Sequence, residues 1–373
     1  MKYLASFVVS LIVIALLATS AAYGALCDKN PSHKRCKPSA QPVPPPSNVA
    51  PATPGVSPGG KLIGMSDAEL GRLLDEAKRA GAQWVRVDVA WSVIQSGGPT
   101  SWDWSSSDRI ISFITARGMN VHAMLGYTPS WARPAATTDK HAPLDPNAYA
   151  NFARATAQRY GAQGVHVYEI WNEPNINAFW QPKPDPVAYA NLLKLAAPAI
   201  READPSAHIL NGGTSPALSD GTNVSPVDFL SALYKNGAGT AFDAVSHHPY
   251  CSPAYPGDAQ SWSAWYQMYG TSPSLRSVME ANGDADKKIW ISEFGAPTNG
   301  PVGSGATTEA DQAAMLTRAF EQARSYSWAG PLEWYSVHDN GTDPADRENF
   351  YGMLRYDWSE KPSFAAYQTQ AIR

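Results

Sequence analysis

Two acidic residues give the strongest chemical signal in this sequence. Glu173 lies in the segment YEIWNEPN at 168–175, and Glu293 lies in the segment IWISEFG at 289–295. In both segments a short run rich in Ile and Trp gives way to Pro or Gly, which is typical of a buried strand that ends in a loop. Two carboxyl groups at the ends of two strands are the minimum that cleavage of a glycosidic bond requires. One must protonate the leaving oxygen while the other stabilises or attacks the anomeric carbon.

Helical and strand patterns alternate through most of the chain. Seven segments with helical periodicity each precede an apolar, strand-like segment: 67–81 before 84–91, 107–117 before 120–125, 147–160 before 165–171, 186–203 before 208–212, 226–235 before 242–247, 274–281 before 288–292, and 308–327 before 332–337. Strands that alternate with helices of this length imply crossover connections and a parallel sheet. A weaker strand pattern near 55–63 brings the count to eight and predicts an α/β fold, the (β/α)8 TIM barrel. The alternative is an open doubly wound sheet, but no glycine-rich phosphate-binding loop opens any of these helices.

The composition predicts three regions. Residues 1–24 combine a positive start, an apolar core and small residues at the end, which is typical of a secretory signal peptide. An uncleaved membrane anchor is the alternative, but the apolar run is shorter than the roughly 20 residues that span a bilayer. Residues 25–60 are proline-rich and predict a largely disordered linker. Residues 61–373 are uniform in composition and predict a single catalytic domain, so we expect a protein that is secreted, extracellular or periplasmic.

Three cysteines bear on the compartment. Cys27 and Cys36 closely follow the predicted cleavage site and could form a small disulfide loop in an oxidising compartment. Lipid modification of Cys27 is the alternative. Cys251 stands alone far downstream, and we expect it to be an unpaired, partly buried thiol.

The charge and aromatic content point to a neutral ligand. The formal net charge is -4 and the basic residues are scattered, so nothing indicates a nucleic-acid partner or an anionic membrane surface. The chain has 13 Trp and 17 Tyr, and aromatic faces stack on the apolar faces of sugar rings, although we expect at least half of them to be core packing. We therefore expect a monomer that binds a polysaccharide or oligosaccharide and contacts no membrane after signal cleavage.

In a barrel of this kind the chemistry lies at the carboxyl ends of the strands. Six candidate residues are predicted there: Glu173, His248, Tyr250, Glu293, Trp334 and His338. A glutamate that ends a buried strand is seldom a plain solvated charge, because its desolvation is costly unless it is paired or used.

The motifs resemble those of clan A of the glycoside hydrolases. Five features carry the resemblance: NEP at 172–174, SEFG at 292–295, HPY at 248–250, Trp334, and NFYGML at 349–354 with KP at 361–362. The segment at 248–250 and the closing segment resemble family 39 most, and the former also resembles part of family 5. The resemblance covers essentially all of 61–373 and implies a retaining enzyme on a (β/α)8 barrel.

Carried over to this sequence, the resemblance implies a role for each of five residues. Glu173 would be the acid/base and Glu293 the nucleophile, with their carboxyl groups roughly 5–5.5 Å apart. Tyr250 and Arg86 would support the charged form of Glu293. Asn172 would hold the sugar 2-hydroxyl in the transition state.

Further residues are weaker candidates for sugar contacts. His248 is expected to bind a sugar hydroxyl or to orient Glu293, and Trp334 resembles the aromatic platform under the sugar. Additional subsites could be lined by Trp91, Tyr127, Trp131, Trp180 and His338, each of which is equally consistent with plain packing. Glu169 and Asp88 share the strands of the candidate residues, but we expect both to be buried structural carboxylates.

Other chemistries find little support. The pair His247-His248 invites a metal site, but no carboxylate or further histidine stands at ligand spacing in the sequence, so no metal or other cofactor is predicted. A serine hydrolase is disfavoured because no G-x-S-x-G elbow is present.

The sequence thus predicts a secreted retaining glycoside hydrolase. A transglycosylase with the same residues and a carbohydrate-binding barrel without turnover are the alternatives, although both carboxylates and Tyr250 are present. No β-sandwich follows the predicted barrel as it does in many exo-acting family 39 xylosidases, which favours endo-acting cleavage. Glucan, mannan, xylan and mixed exopolysaccharide are all compatible substrates.

Overall fold

Eight parallel strands form a barrel in a computed structural model of the chain, which describes residues 49–373. The strands are β1 Pro54–Val56, β2 Trp84–Ala90, β3 Asn120–Gly126, β4 Val167–Asn172, β5 His208–Gly213, β6 Val245–His247, β7 Ile289–Phe294 and β8 Ala329–Trp334. They follow the order β5-β4-β3-β2-β1-β8-β7-β6, and parallel bridges between Leu210 and Ala244 and between Thr214 and His247 join the two outer strands. The predicted (β/α)8 barrel is therefore confirmed.

One longer helix follows each strand. These helices are α1 Asp67–Ala80, α2 Ser105–Thr115, α3 Pro146–Tyr160, α4 Pro186–Ala203, α5 Pro226–Lys235, α6 Leu275–Ala281, α7 Glu309–Ser325 and α8 Pro362–Ala371. Shorter helical turns lie in the loops at Gly60–Gly64, Trp91–Ile94, Ser130–Ala132, Gly161–Gln163, Gly239–Ala241, Ala264–Gln267 and Arg347–Phe350. Because parallel strands need a crossover between them, each helix returns the chain to the opposite end of the barrel.

Local sequence determines where several helices begin. Ser66 and Glu69 form a reciprocal capping box at the start of α1. Helices α3, α4 and α5 each begin at a proline that follows Asp145, Asp185 or Ser225, whose side chain accepts a hydrogen bond from the first turn. Proline is favoured at the first helical position because its missing N–H has no partner there in any case.

Two predicted boundaries are wrong. The barrel begins at Pro54, inside the segment 25–60 that was predicted to be a linker, because Gly55 and Val56 pair with β2 and β8. The last strand runs over Ala329–Trp334 rather than 332–337. Proline is unfavourable inside a strand, so the pattern predicts a start after Pro331. The structure instead accommodates that proline in an irregularity, where two steps along β7 face three along β8.

The predicted signal peptide, Cys27, Cys36 and most of the predicted linker lie outside the described residues. Among residues 49–373, no helix is both long and apolar enough to cross a membrane. Cys251 is unpaired within this part of the chain and fully buried, and burial raises the pKa of its thiol to about 12.

Candidate active site

The two carboxylates predicted from sequence face each other in one cleft. Glu173 follows β4 and Glu293 lies near the end of β7, and an oxygen of each lies within 4.8 Å of the other. The cleft has a volume of about 630 Å³ and opens at the carboxyl ends of the strands. Retaining glycosidases hold their two carboxyl groups about 5–5.5 Å apart, so this separation fits direct attack by one carboxylate.

The backbone at the end of β4 turns the Glu173 side chain into the cleft. Trp171 and Glu173 have φ angles of 74° and 46°, in the left-handed region that residues other than glycine seldom adopt. This conformation interrupts the alternation of the strand, so Asn172 also faces inward and accepts a hydrogen bond from Arg86. Gly213 on β5 holds the turn by accepting a 2.9 Å hydrogen bond from the Glu173 amide. Such strain persists where surrounding contacts enforce it, and it is concentrated at functional sites.

Glu293 is surrounded by hydrogen-bond donors. The Nη1 atom of Arg86 lies 2.5 Å from Oε1, and the hydroxyl of Tyr250 donates to Oε2 at 2.9 Å. Ser57, after β1, adds a longer contact of 3.5 Å to Oε1. Burial and then the charge of Glu293 raise the pKa of Tyr250 well above its usual value, so the phenol stays protonated and can donate. These contacts balance the negative charge of Glu293 and fix its orientation.

Glu173 has a different neighbour. The Nδ1 atom of buried His248 lies 2.9 Å from Oε1 of Glu173 and 3.7 Å from Oε2 of Glu293. Burial lowers the pKa of His248, but the charge of Glu293 and the hydrogen bond to Glu173 raise it more, so the net shift is upward. A β-carbon built on Gly213 would lie 2.2 Å from Nε2 of this ring, so only glycine leaves room for it. His248 thus contacts Glu173 directly and Glu293 more distantly, and it helps to orient both carboxylates.

A buried ionic network underlies the site. Glu169 receives two hydrogen bonds from Arg86, at 2.7 and 2.9 Å, and lies 3.1 Å from Nε2 of His122. The other nitrogen of His122 lies 2.9 Å from Glu333. Burial alone would raise the pKa of Glu169, but Arg86 and His122 lower it by a larger amount. The pKa of Glu169 therefore lies far below the usual range. Glu169 is therefore the buried structural carboxylate that was predicted.

Asp88 was predicted to be a buried structural carboxylate like Glu169, but it is only partly buried. Its side chain lines the cleft with Arg86, Tyr127 and Gly60. Asp88 lies two residues beyond Arg86 on the same face of β2, so the strand that supports Glu293 also carries a second acidic group to the cleft.

The sequence predicted the wrong aromatic residue at the end of β8. Trp334 is fully buried and packs edge to face against Phe294, with ring centroids 5.7 Å apart, so it does not line the cleft. Tyr335 lines it instead. Glu333, one residue before Trp334, points into the barrel and contacts His122, so the alternation of the strand directs Trp334 away from the cleft and Tyr335 toward it.

Of the weaker candidates, only Tyr127 lines the cleft. Trp91 is buried against Trp131 and Phe152, and Trp131 donates to the carbonyl of Gln95. Trp180 is buried against Trp171. His338 stacks on Trp358 with ring centroids 3.9 Å apart. These four are packing residues.

Several cleft residues were not predicted: Gly59, Gly60, Phe179, Trp262, Tyr335, Arg347, Glu348 and Tyr351. Trp262 is the most exposed aromatic among them, at 52%. It belongs to the long loop between β6 and α6, and loops at this end of a barrel carry function. This rule can be applied to a sequence, but it does not identify which residue of the loop faces the cleft.

Glu173, His248 and Glu293 could offer three ligand atoms to a metal ion, since these atoms lie within 4.8 Å of one another. In the sequence, no carboxylate lies at ligand spacing from His248, because Glu173 follows β4 and Glu293 lies on β7. A cation there would have to compete with Arg86 and Tyr250 for both oxygens of Glu293. The donor set therefore fits proton transfer and nucleophilic attack better than metal binding.

A (β/α)8 barrel with two facing carboxylates at its strand ends defines the class of barrel glycoside hydrolases. The sequence model of the cellulase family, glycosyl hydrolase family 5, matches residues 53–336. The chain belongs to this family, and the predicted clan is confirmed.

Other proteins are similar over much of the barrel. A β-xylosidase from Geobacillus stearothermophilus is 25% identical over 224 residues, which are 56% of this chain and 42% of that protein. A family 39 glycoside hydrolase from Bacteroides cellulosilyticus has a TM-score of 0.69 at 23% identity, covering 87% of this chain and 64% of its own. A GH5_18 protein from Streptomyces cattleya has a TM-score of 0.61 at 17% identity, with coverage of 87% and 80%. The chain spans less than two thirds of the first two proteins, and the structural likenesses concern the fold.

Proposed function

We propose that this protein is a retaining O-glycoside hydrolase. The observation that carries the proposal is the short separation of Glu173 and Glu293 together with their different partners. Arg86 and Tyr250 stabilise Glu293 as an anion, which suits a nucleophile. The carboxylate of Glu173 instead contacts His248, a group that can exchange a proton with it, which suits a residue that gives and takes a proton in turn.

The reaction then has two balanced steps. Glu293 attacks the anomeric carbon while the bond to the leaving oxygen breaks and Glu173 transfers its proton to that oxygen. In the second step Glu173 takes a proton from water, the water oxygen bonds to the anomeric carbon, and the bond to Glu293 breaks. Asn172 lines the cleft with its Oδ1 occupied by Arg86, so its amide nitrogen can donate to the sugar.

Mutation of each carboxylate tests this mechanism. Glu293→Gln should abolish turnover of 4-nitrophenyl glycosides. Glu173→Ala should recover activity with azide and give a glycosyl azide of retained configuration, because azide needs no general base. Glu321→Gln, on the outer surface of α7, is the control and should keep full activity. An azide product of inverted configuration, or turnover by Glu293→Gln, would overturn the assignment.

We further propose an oligosaccharide or polysaccharide substrate and endo-acting cleavage. The exposed Trp262 in the cleft supports contacts beyond a single sugar unit. Among the similar proteins are enzymes called β-xylosidases, and two GH5_18 structures hold Manβ1-4GlcNAc. Xylan, mannan, glucan and that disaccharide are therefore the first substrates to test.

Product sizing distinguishes the modes of action. A ladder of oligosaccharides indicates endo cleavage, and a single small sugar indicates exo cleavage. Products longer than the substrate indicate a transglycosylase. Secretion remains part of the proposal and rests on the sequence of residues 1–24. Detection of the mature chain outside the cytoplasm, beginning near residue 25, would test it.

A further inference from the structure

The cleft has a second acidic end. Asp88 lines it beside Gly60, and a β-carbon built on Gly60 would lie 3.0 Å from Oδ2 of Asp88. Gly59, with a φ of 74°, lies beside Tyr335, whose ring a β-carbon built there would meet at 3.4 Å. Gly60 therefore keeps the space beside Asp88 open, where a side chain would fill it.

This carboxylate is left without donors by the protein. No side chain or amide among residues 49–373 donates a hydrogen bond to Asp88, although Glu169, Glu293 and Glu173 all have such partners. Burial raises the pKa of Asp88 to about 6; Arg86 lowers it and Glu293 raises it. Because Asp88 is only partly buried, its oxygens are open to the cleft and can accept hydrogen bonds from a ligand there.

The position of Asp88 identifies which part of a substrate would reach it. Ser57 contacts Glu293, and three residues later Gly60 contacts Asp88, so the ends of β1 and β2 meet on the Glu293 side of the cleft. Under the proposed mechanism, Glu293 attacks the sugar on the non-reducing side of the broken bond. Groups on this side therefore face that sugar rather than the leaving group.

We propose that Asp88 is a specificity-determining residue, whose carboxylate accepts hydrogen bonds from hydroxyls of a neutral sugar on the non-reducing side of the cleaved bond. This inference rests on the proposed function for the orientation of the substrate. A sugar with a carboxylate at that position is rejected, because two anions would face each other in a half-buried space. The substrate is thus a neutral glycan with free hydroxyls rather than a polyuronate.

Binding to an inactive parent tests the inference without requiring turnover. Calorimetry would measure cellotriose, mannotriose, xylotriose and trigalacturonic acid on the Glu293→Gln protein at pH 7.5. Asp88→Asn in this background should weaken the preferred neutral ligand about 10- to 100-fold, the range for a hydrogen bond to a charged group. The ratio of the affinity for that neutral ligand to the affinity for trigalacturonic acid should fall as well. Asp88→Ala should behave alike, and thermal unfolding checks that each variant is folded.

The matched control is Asp139→Asn. Asp139 lies by Lys140, which also interacts with Asp88, but it does not line the cleft. The substitution Asp139→Asn removes the same charge from the same neighbourhood. The affinity for the neutral ligand should stay within about twofold of the parent value, as expected for a screened surface charge. If Asp88→Asn keeps both the affinity and the ratio of the parent, the assignment of Asp88 is wrong while the saccharide site stands. If the parent binds none of the four ligands, the saccharide site itself is wrong.

Discussion

At the scale of single residues, Glu173 and Glu293 acquire different roles from their neighbours. Arg86 lies between Glu169 and Glu293, so its charge is shared by a structural carboxylate and a reactive one. His248 contacts Glu173 at hydrogen-bond distance and Glu293 more distantly. The two glutamates are chemically the same, and the asymmetry of their surroundings separates the proposed nucleophile from the proposed acid.

The hydroxyl of Tyr250 gives a direct residue-scale prediction. Tyr250→Phe removes the 2.9 Å hydrogen bond to Glu293. We expect kcat/KM to fall about 10- to 100-fold, because hydrogen bonds to charged groups contribute about 1.5–3 kcal/mol. Steady-state kinetics on a 4-nitrophenyl glycoside would measure it. Tyr255→Phe, which removes a hydroxyl bonded to Asp311 outside the cleft, serves as the control. Equal rates for Tyr250→Phe and wild type would argue against this role.

Gly213 gives a second prediction at this scale. A methyl group there would collide with the His248 ring, which must then move away from Glu173. We expect Gly213→Ala to lower kcat/KM about 100-fold, the effect of displacing a reacting group by roughly 1 Å. Gly64→Ala is the matched control, since no atom lies within 4 Å of a β-carbon at that position. Full activity in Gly213→Ala would show that the His248 position is not critical.

At the scale of elements, strand ends and the loops after them decide what reaches the cleft. On β8, regular alternation after Glu333 places Trp334 in the wall and Tyr335 at the cleft. On β4, the left-handed backbone at Trp171 and Glu173 interrupts the alternation, so Asn172 and Glu173 both reach the cleft.

The loop after β6 contributes Trp262, and its removal should affect long substrates most. We expect Trp262→Ala to raise KM for a polysaccharide about tenfold, because one stacked aromatic ring contributes roughly 1 kcal/mol or more. KM for a 4-nitrophenyl monoglycoside should change little, since that substrate occupies only the subsites around the two carboxylates. Trp102→Ala is the control, because Trp102 is exposed but lies outside the cleft. An equal effect on both substrates would contradict an outer subsite at Trp262.

At the scale of the whole molecule, histidines shielded from solvent contribute to the dependence of stability on pH. Burial lowers the pKa of His208 and His338 to about 4 and that of His247 to about 3. Burial also lowers the pKa of His122, but Glu333 and Glu169 raise it to about 9. The first three are therefore protonated more readily in the unfolded state, and His122 is protonated more readily in the folded state.

The sign of each shift sets the expected pH profile. From pH 4 to 6.5 the three lowered histidines make stability rise, since the unfolded state binds more protons. Above pH 6.5 stability should fall through His122, by about 2 kcal/mol between pH 6.5 and pH 8, and His248, whose pKa is also raised, acts in the same direction. Urea unfolding midpoints across this range would measure the maximum near pH 6.5. Constant midpoints from pH 6.5 to 8 would be inconsistent with a charged His122 in the folded barrel.

Much of this molecule was predictable because the signals are local. The alternating patterns predicted the barrel, and the barrel-end rule predicted that Glu173 and Glu293 share a cleft. Trp334, Asp88 and Trp262 were misjudged or missed for different reasons. Contacts inside the closed barrel decide which face of β8 reaches the cleft, and the open space beside Asp88 comes from Gly60 on another segment. Trp262 lies in a long loop, where no periodic pattern predicts which side chain faces the cleft.

The amino-acid sequence by itself determined the architecture and the identity of the two carboxylates, because hydrophobic periodicity and strand-end residues are properties of short segments. Only the tertiary structure decided how those carboxylates differ and what lies beside them. Arg86, Tyr250 and His248 reach the pair from β2 and from the loop after β6, and Asp88 gains its open space from Gly60 after β1. Distances between residues far apart in sequence arise when the sheet closes, so charge, burial and specificity at this site follow from barrel closure.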